Sequence, residues 1–155
     1  MGKQPDFDLQ AAHKYFSAEC FNRAWDFIEK PLIKPGEEEK MLLLSLASLW
    51  HWTQRDDCTP TNLSIGYWQV ARVYALLRQA DQARRYASLC LEASQSEGVL
   101  PFYRGYAYEA LARAEQVADN LDLMEKYLIQ AHQVATGLTE PDEKKQLLKD
   151  LATIR

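Results

Sequence analysis

Apolar residues recur along this chain at intervals of three and four, and they nowhere alternate with polar ones convincingly enough to make a strand. Leu9, Ala12, Tyr15 and Phe16 share one face of a predicted helix from Asp8 to Ala18. After a very short break a second predicted helix runs from Phe21 to Glu29, and Pro31 and Pro35-Gly36 then punctuate the chain. Glu37-Glu38-Glu39 puts carboxylates where a helix N-terminus favours them and opens a helix to about Gln54. That helix is apolar nearly all round, through Leu42, Leu43, Leu44, Leu46, Leu49 and Trp50, which predicts burial on several sides.

Arg55-Asp56-Asp57-Cys58 reads as a loop, and Thr59 before Pro60 reads as an N-cap followed by a proline that the first helical turn tolerates. One helix then runs to about Leu77, the next from Asp81 to near Ser96-Glu97-Gly98, and a further one from Pro101 to about Val117. Asp119 or Asn120 caps a helix that ends at Gly137. Thr139-Glu140-Pro141-Asp142 opens the last, with Leu147, Leu148, Leu151 and Ile154 on one stripe. About eight helices with short connections and no strand predict a single all-α domain, residues 1–155, of antiparallel neighbours.

Self-similarity sharpens this picture. Ala71, Tyr74 and Ala83 fall within one helix–turn–helix, the two alanines 12 positions apart. Leu111-Ala112 and Met124, again 12 apart, are followed by Leu128 and Ala131, and Ala12, Tyr15 and Ala24 form a third candidate set. The stretch from Gly66-Tyr67-Trp68 through Asp81-Gln82-Ala83 to Leu91 resembles a tetratricopeptide (TPR) repeat. In that family a small residue on the first helix packs against one on the second; Ala71 and Ala83 fill those places, with Tyr74 at the aromatic position. Small residues are needed because helices approach closely only where side chains are short, and stacked pairs bury a core that one pair cannot. The resemblance implies a TPR-like array of antiparallel helix hairpins, a right-handed α-α superhelix, with its best units at 62–97 and 100–137 and a capping helix at 140–154. The period is 41 from Ala71 to Ala112, against roughly 34 in the family. It is 59 from Ala12 to Ala71, across the leucine-rich helix. A compact TPR-like domain is therefore expected rather than a regular solenoid.

The resemblance also implies where a partner would sit. In the family peptides bind the concave face lined by first helices, and the matching positions are Trp68, Gln69 and Arg72, then Tyr106, Glu109, Arg113 and Gln116. Aromatic and Arg side chains anchor interfaces, and Arg forks onto carboxylates. The competing reading makes Trp68 core and pairs Arg72 and Arg113 with Glu109 or solvent. A second candidate is Trp50-His51-Trp52-Thr53-Gln54-Arg55-Asp56-Asp57, where His51 and Arg55 share a helical face and Asp57 would hold an imidazole for general-base work. It would make a small-molecule pocket or an enzyme around His51, Arg55 and Asp57, but no motif fixes a nucleophile there, and packing is the simpler account.

Composition narrows the function classes. Hydrophobic residues are 47% and charged residues 26%, the proportions of a globular chain. A net charge of -4 gives no basic field for nucleic acid or an anionic membrane. The aromatic helix carrying Phe102, Tyr103, Tyr106, Tyr108 and Arg104 is expected to pack rather than stack bases, because residues 66–118 hold six Arg against five acidic residues. His13, His51 and His132 lie on different predicted helices without metal-ligand spacing, no glycine-rich phosphate loop occurs, and neither cofactor nor metal is expected. Cys20, Cys58 and Cys90 are odd in number and far apart, so buried apolar roles are expected rather than disulfides. The residues Met1-Gly2-Lys3-Gln4-Pro5-Asp6 hold no apolar run for a signal peptide, and the longest, Met41 to Trp52, is short of the about 20 residues of a bilayer span. A cytoplasmic, non-catalytic protein- or peptide-binding scaffold is the leading expectation. Homodimerisation through an apolar patch is a third reading, with capping preferred as the role of the last helix.

Overall fold

Prolines and polar caps set where the helices begin. In the computed structural model, which describes residues 2–155, Met1 of the N-terminal stretch read above for a leader lies outside the described residues. The described residues form seven helices and no strand: α1 (Leu9–Ile28), α2 (Pro35–Thr53), α3 (Pro60–Leu76), α4 (Ala80–Ser94), α5 (Pro101–Val117), α6 (Leu121–Gly137) and α7 (Pro141–Leu151). The helices fall into two compact units, the first ending at Thr59 and the second running from Pro60 to Arg155.

The count is seven rather than eight because α1 is continuous through the break expected between Ala18 and Phe21. Ser17-Ala18-Glu19-Cys20 contains neither Gly nor Pro, and the Ser17 hydroxyl donates back to Lys14 O at 3.0 Å instead of diverting the chain. Ala12 and Ala24 consequently lie along one helix and do not face each other across a hairpin. The helix is capped by Asp8, whose carboxylate accepts from Ala11 N at 3.0 Å. In α2 the first turn starts at Pro35, before the acidic run. Glu37 reaches back to accept from Lys34 N at 3.1 Å and from Lys30 Nζ at 2.6 Å.

Helices α1 and α2 pair through small residues. The stripe that α2 buries is Met41, Ser45, Ser48 and Leu49, and α1 buries His13, Ser17, Ala24 and Ile28. Ser48 Oγ donates to Ser17 O at 2.7 Å and Ser45 Oγ to Leu42 O at 2.9 Å, so the hydroxyls are satisfied by carbonyls. The expectation that α2 is buried on several sides fails, because Leu43 and Trp50 are 56% and 55% exposed.

The second unit stacks α3–α4 against α5–α6, with α7 on α5 and α6. Ala71 and Ala83 are both buried, as are Ala87, Ala107, Ala110, Ala112, Ala114, Ala131 and Ala135. Its two hairpins turn identically. Arg78 and Asp119, 41 residues apart, both adopt φ 58, in the left-handed region. Gln79 N then bonds Tyr74 O and Asn120 N bonds Glu115 O, both at 2.9 Å, the wider closure that follows a left-handed helix end. Asn120 caps α6 with its side chain on Leu123 N at 3.3 Å. Pro60, Pro101 and Pro141 open α3, α5 and α7 in the same way.

Candidate functional site

Trp68 and Arg72 on α3, and Glu109 and Arg113 on α5, each stand four apart and so on one helical face. Trp68 Nε1 donates to Glu109 Oε2 at 2.8 Å, and Arg113 Nε donates to Glu109 Oε1. Glu109 is 1% exposed, and a carboxylate that deep is tolerated because a guanidinium and an indole N–H replace its water. Arg113 also donates through Nη2 to Asp150 O at 3.1 Å and to Thr153 Oγ1 at 2.6 Å. These acceptors are at the C-terminal end of α7, where a cation is electrostatically favoured.

The other expected partner-binding residues converge on the same segment. Tyr106 OH donates to Asp150 Oδ2 at 2.5 Å, and burial, followed by that bond, raises the phenol's pKa far above its ordinary value. Gln116 Nε2 donates to Arg155 O at 2.9 Å. A Cβ on Gly105 would lie 2.6 Å from Leu147 Cδ2 and 3.1 Å from Val134 Cγ1, so the absent side chain is what admits the buried Leu147. Tyr106, Ala112, Met124, Ala131, Ala135, Leu147, Leu151 and Ile154 form one apolar cluster. The first-helix face at α5 therefore holds the chain's own last helix. Of the remaining residues in the expected set, Gln69 is buried and Arg72 is half-buried. The Arg72 guanidinium has no carboxylate in ion-pair distance among the described residues; its pKa is lowered by burial first and by the charge of Arg113 second, against the opposing charges of Glu109 and Asp150. The competing reading, which pairs both arginines with Glu109 or solvent, describes Arg113 directly, while Arg72 is half-buried and feels the Glu109 charge without bonding to it.

The second expected site divides into two arrangements. His51 Nδ1 lies 2.8 Å from His13 Nδ1, so one ring donates and the other accepts. Burial, then the His13 charge, lowers the His51 pKa. Arg55 grips Asp57 in two parallel bonds, Nε to Oδ1 and Nη2 to Oδ2, both 2.8 Å. Its Nη1 reaches Ser17 Oγ at 3.0 Å and its guanidinium carbon sits 3.7 Å from the centre of the Trp52 ring. Hydrogen bonding to Arg55 holds the Asp57 carboxyl at about 2. Asp57 thus serves Arg55 and not the imidazole. Gln10 ties the same corner together, donating to Gln54 O and accepting from Asp56 N, both at 3.0 Å.

All three cysteines are free, and burial pushes the Cys90 thiol up to about 12. No group of three or more His, Cys, Asp or Glu converges as metal ligands among the described residues. No helix there is long and apolar enough to cross a membrane. Two features escape a reading by motif. One is the set of bonds that Tyr106, Arg113 and Gln116 make to the end of the expected capping helix, although Trp68, Glu109 and Asp150 follow one another at 41-residue intervals in the sequence. The other is the exposure of Tyr15, Phe16 and Trp50, which no periodicity signals. No protein-family model, curated protein or solved structure matches this chain.

Proposed function

We propose that the chain is a non-catalytic, TPR-like helical scaffold that binds a protein or peptide through the first-helix face of its second unit. The observation that carries this reading is α7. Tyr106, Arg113 and Gln116 grip an amphipathic segment of the chain itself, side by side with an apolar seat at Gly105. The same face one repeat earlier, at α3, carries Trp68 and Arg72. The Arg72 guanidinium feels the charges of Glu109 and Asp150 but makes no ion pair with either, Glu109 being bonded to Arg113 and Trp68 and Asp150 to Tyr106. A partner's Asp, Glu or terminal carboxylate supplies that ion pair, and charge-assisted bonds of this kind contribute about 1.5–3 kcal/mol. The identical turns at Arg78 and Asp119 lend further support to a repeated hairpin.

The test is quantitative pull-down from host lysate with wild type and Arg72→Glu side by side. The expected result is a partner retained by wild type and depleted at least about tenfold by the variant, with unchanged circular dichroism. Identical retained sets on two well-folded baits refute the reading.

A further inference from the structure

The strongly exposed aromatic side chains among the described residues, Phe7, Tyr15, Phe16 and Trp50, all precede Thr59. Three of them are knitted together. Tyr15 and Phe16 meet edge to face at 5.1 Å, Phe16 stacks on His51 at 5.5 Å, and Trp50 meets His51 at 5.0 Å and His13 at 5.5 Å. Along α2, Lys40, Leu43, Leu44, Ala47 and Trp50 recur at helical spacing and form a strip. A groove of about 330 Å³ is lined by Arg23, Lys40, Leu43, Leu44 and Ala47. Neither Arg23 nor Lys40 makes a hydrogen bond or ion pair among the described residues.

We infer that this α1–α2 surface docks an amphipathic helix of a partner protein, with acidic residues of that helix meeting Arg23 and Lys40. The strip from Lys40 to Trp50 spans about three helical turns, roughly 16 Å, which matches an apolar stripe at i, i+3 or i+4, and i+7. The rings hold one another in place, so little side-chain freedom is lost on binding, and Trp and Tyr are residues that concentrate interface energy. Charge selects the occupant. The groove lining offers two cations and no carboxylate, so a second copy presenting the same strip brings nothing for Arg23 and Lys40. Glu38 and Glu39, exposed beside Lys40, confine the positive charge to the groove, so an acidic side chain seated at Arg23 and Lys40 is favoured over an extended anionic lipid surface, which meets those carboxylates as like charge. The inference is independent of the reading at Arg72.

The probe is a displayed library of amphipathic helices of about 16 residues, with a fixed Leu stripe and randomised polar positions, panned on the full chain. Enrichment of Asp and Glu at one end of the stripe is expected. The best peptide should lose at least about tenfold in affinity with Leu43→Ser or Trp50→Ser, and its acidic preference should reverse with Arg23→Glu/Lys40→Glu. Arg72→Glu should leave its affinity unchanged, which separates this surface from the one at α3. Four outcomes overturn the inference: no enrichment, enrichment of Lys or Arg, binding indifferent to the four α1–α2 substitutions, or Trp50-dependent self-association by sedimentation. Trp50-dependent binding to phosphatidylcholine–phosphatidylserine vesicles in place of peptide also overturns it.

Discussion

The hairpin of the first unit and the hairpins of the second distribute the same kinds of residue in opposite ways. Between α1 and α2 three serines and an alanine are buried beside Met41, Leu49, Ile28 and His13, while Leu43 and Trp50 look outward. In the second unit alanines line the helix contacts, charges are buried in bonded sets, and the exposed large apolar residues are isolated aliphatics such as Leu76, Leu100, Leu121 and Ile129. One ion pair from each unit shows the same contrast. Arg55–Asp57 is a partly exposed brace within five residues of a helix end, whereas Arg113–Glu109 is buried and, through Arg113, ties α5 to α7. The lesson is that a leucine-rich helix need not be a buried one. What sets burial is which stripe lets two backbones approach, and in α2 the small hydroxyl residues do so.

The contrast breaks most sharply at Glu109. Glu109→Ala leaves Arg113 buried without its anion and frees the Trp68 indole, so a loss of about 3–5 kcal/mol is expected in urea denaturation. A loss below about 1 kcal/mol would place Glu109 in water and remove the distinction from Asp57. Next comes Leu147→Ala, which empties the seat opposite Gly105. About 2–5 kcal/mol is expected, together with weaker amide protection in α7 than in α4 by hydrogen exchange.

A smaller effect is expected at His51. Its pKa in the folded chain lies below the ordinary 6.5, so the folded form resists protonation. The associated stability is present above that ordinary value and is lost as pH falls through the folded value. Wild type should lose more Tm than His51→Gln between about pH 7.5 and pH 5, since only the wild type carries the partly buried imidazole that resists protonation. Parallel Tm curves would remove His51 from the account. The smallest effect belongs to the outward residues: Leu43→Ser and Trp50→Ser should each change stability by no more than about 0.5 kcal/mol. A cooperative loss of several kcal/mol in either would show that the first unit buries its apolar residues as the second does.

Helix starts at Pro60, Pro101 and Pro141, the cap at Asn120 and the stop at Gly137 were legible because local chemistry decides them. The buried alanines at 71 and 83 were legible for the same reason that their spacing stood out. The break proposed near Ser17 was not real, since polar residues without Gly or Pro do not end a helix whose hydroxyls bond their own carbonyls. The partner face was half legible. Its role remains the proposal made above, and no local signal showed that Arg113 and Gln116 bond Asp150, Thr153 and Arg155, far along the chain. Likewise, no local signal near Asp57 could reveal that it serves Arg55, or that the partner of His51 is His13 from another helix.

The matching turns at Arg78 and Asp119 make the second unit a ruler with divisions of 41 residues. Because both hairpins begin at a proline and turn midway on their own left-handed residue, a duplicate of 60–100 spliced in before Pro101 would present α5 with the neighbour it already has. The helical stack would grow longer while α7 stayed at its end, and insertion of whole divisions would be the simple route to a larger domain.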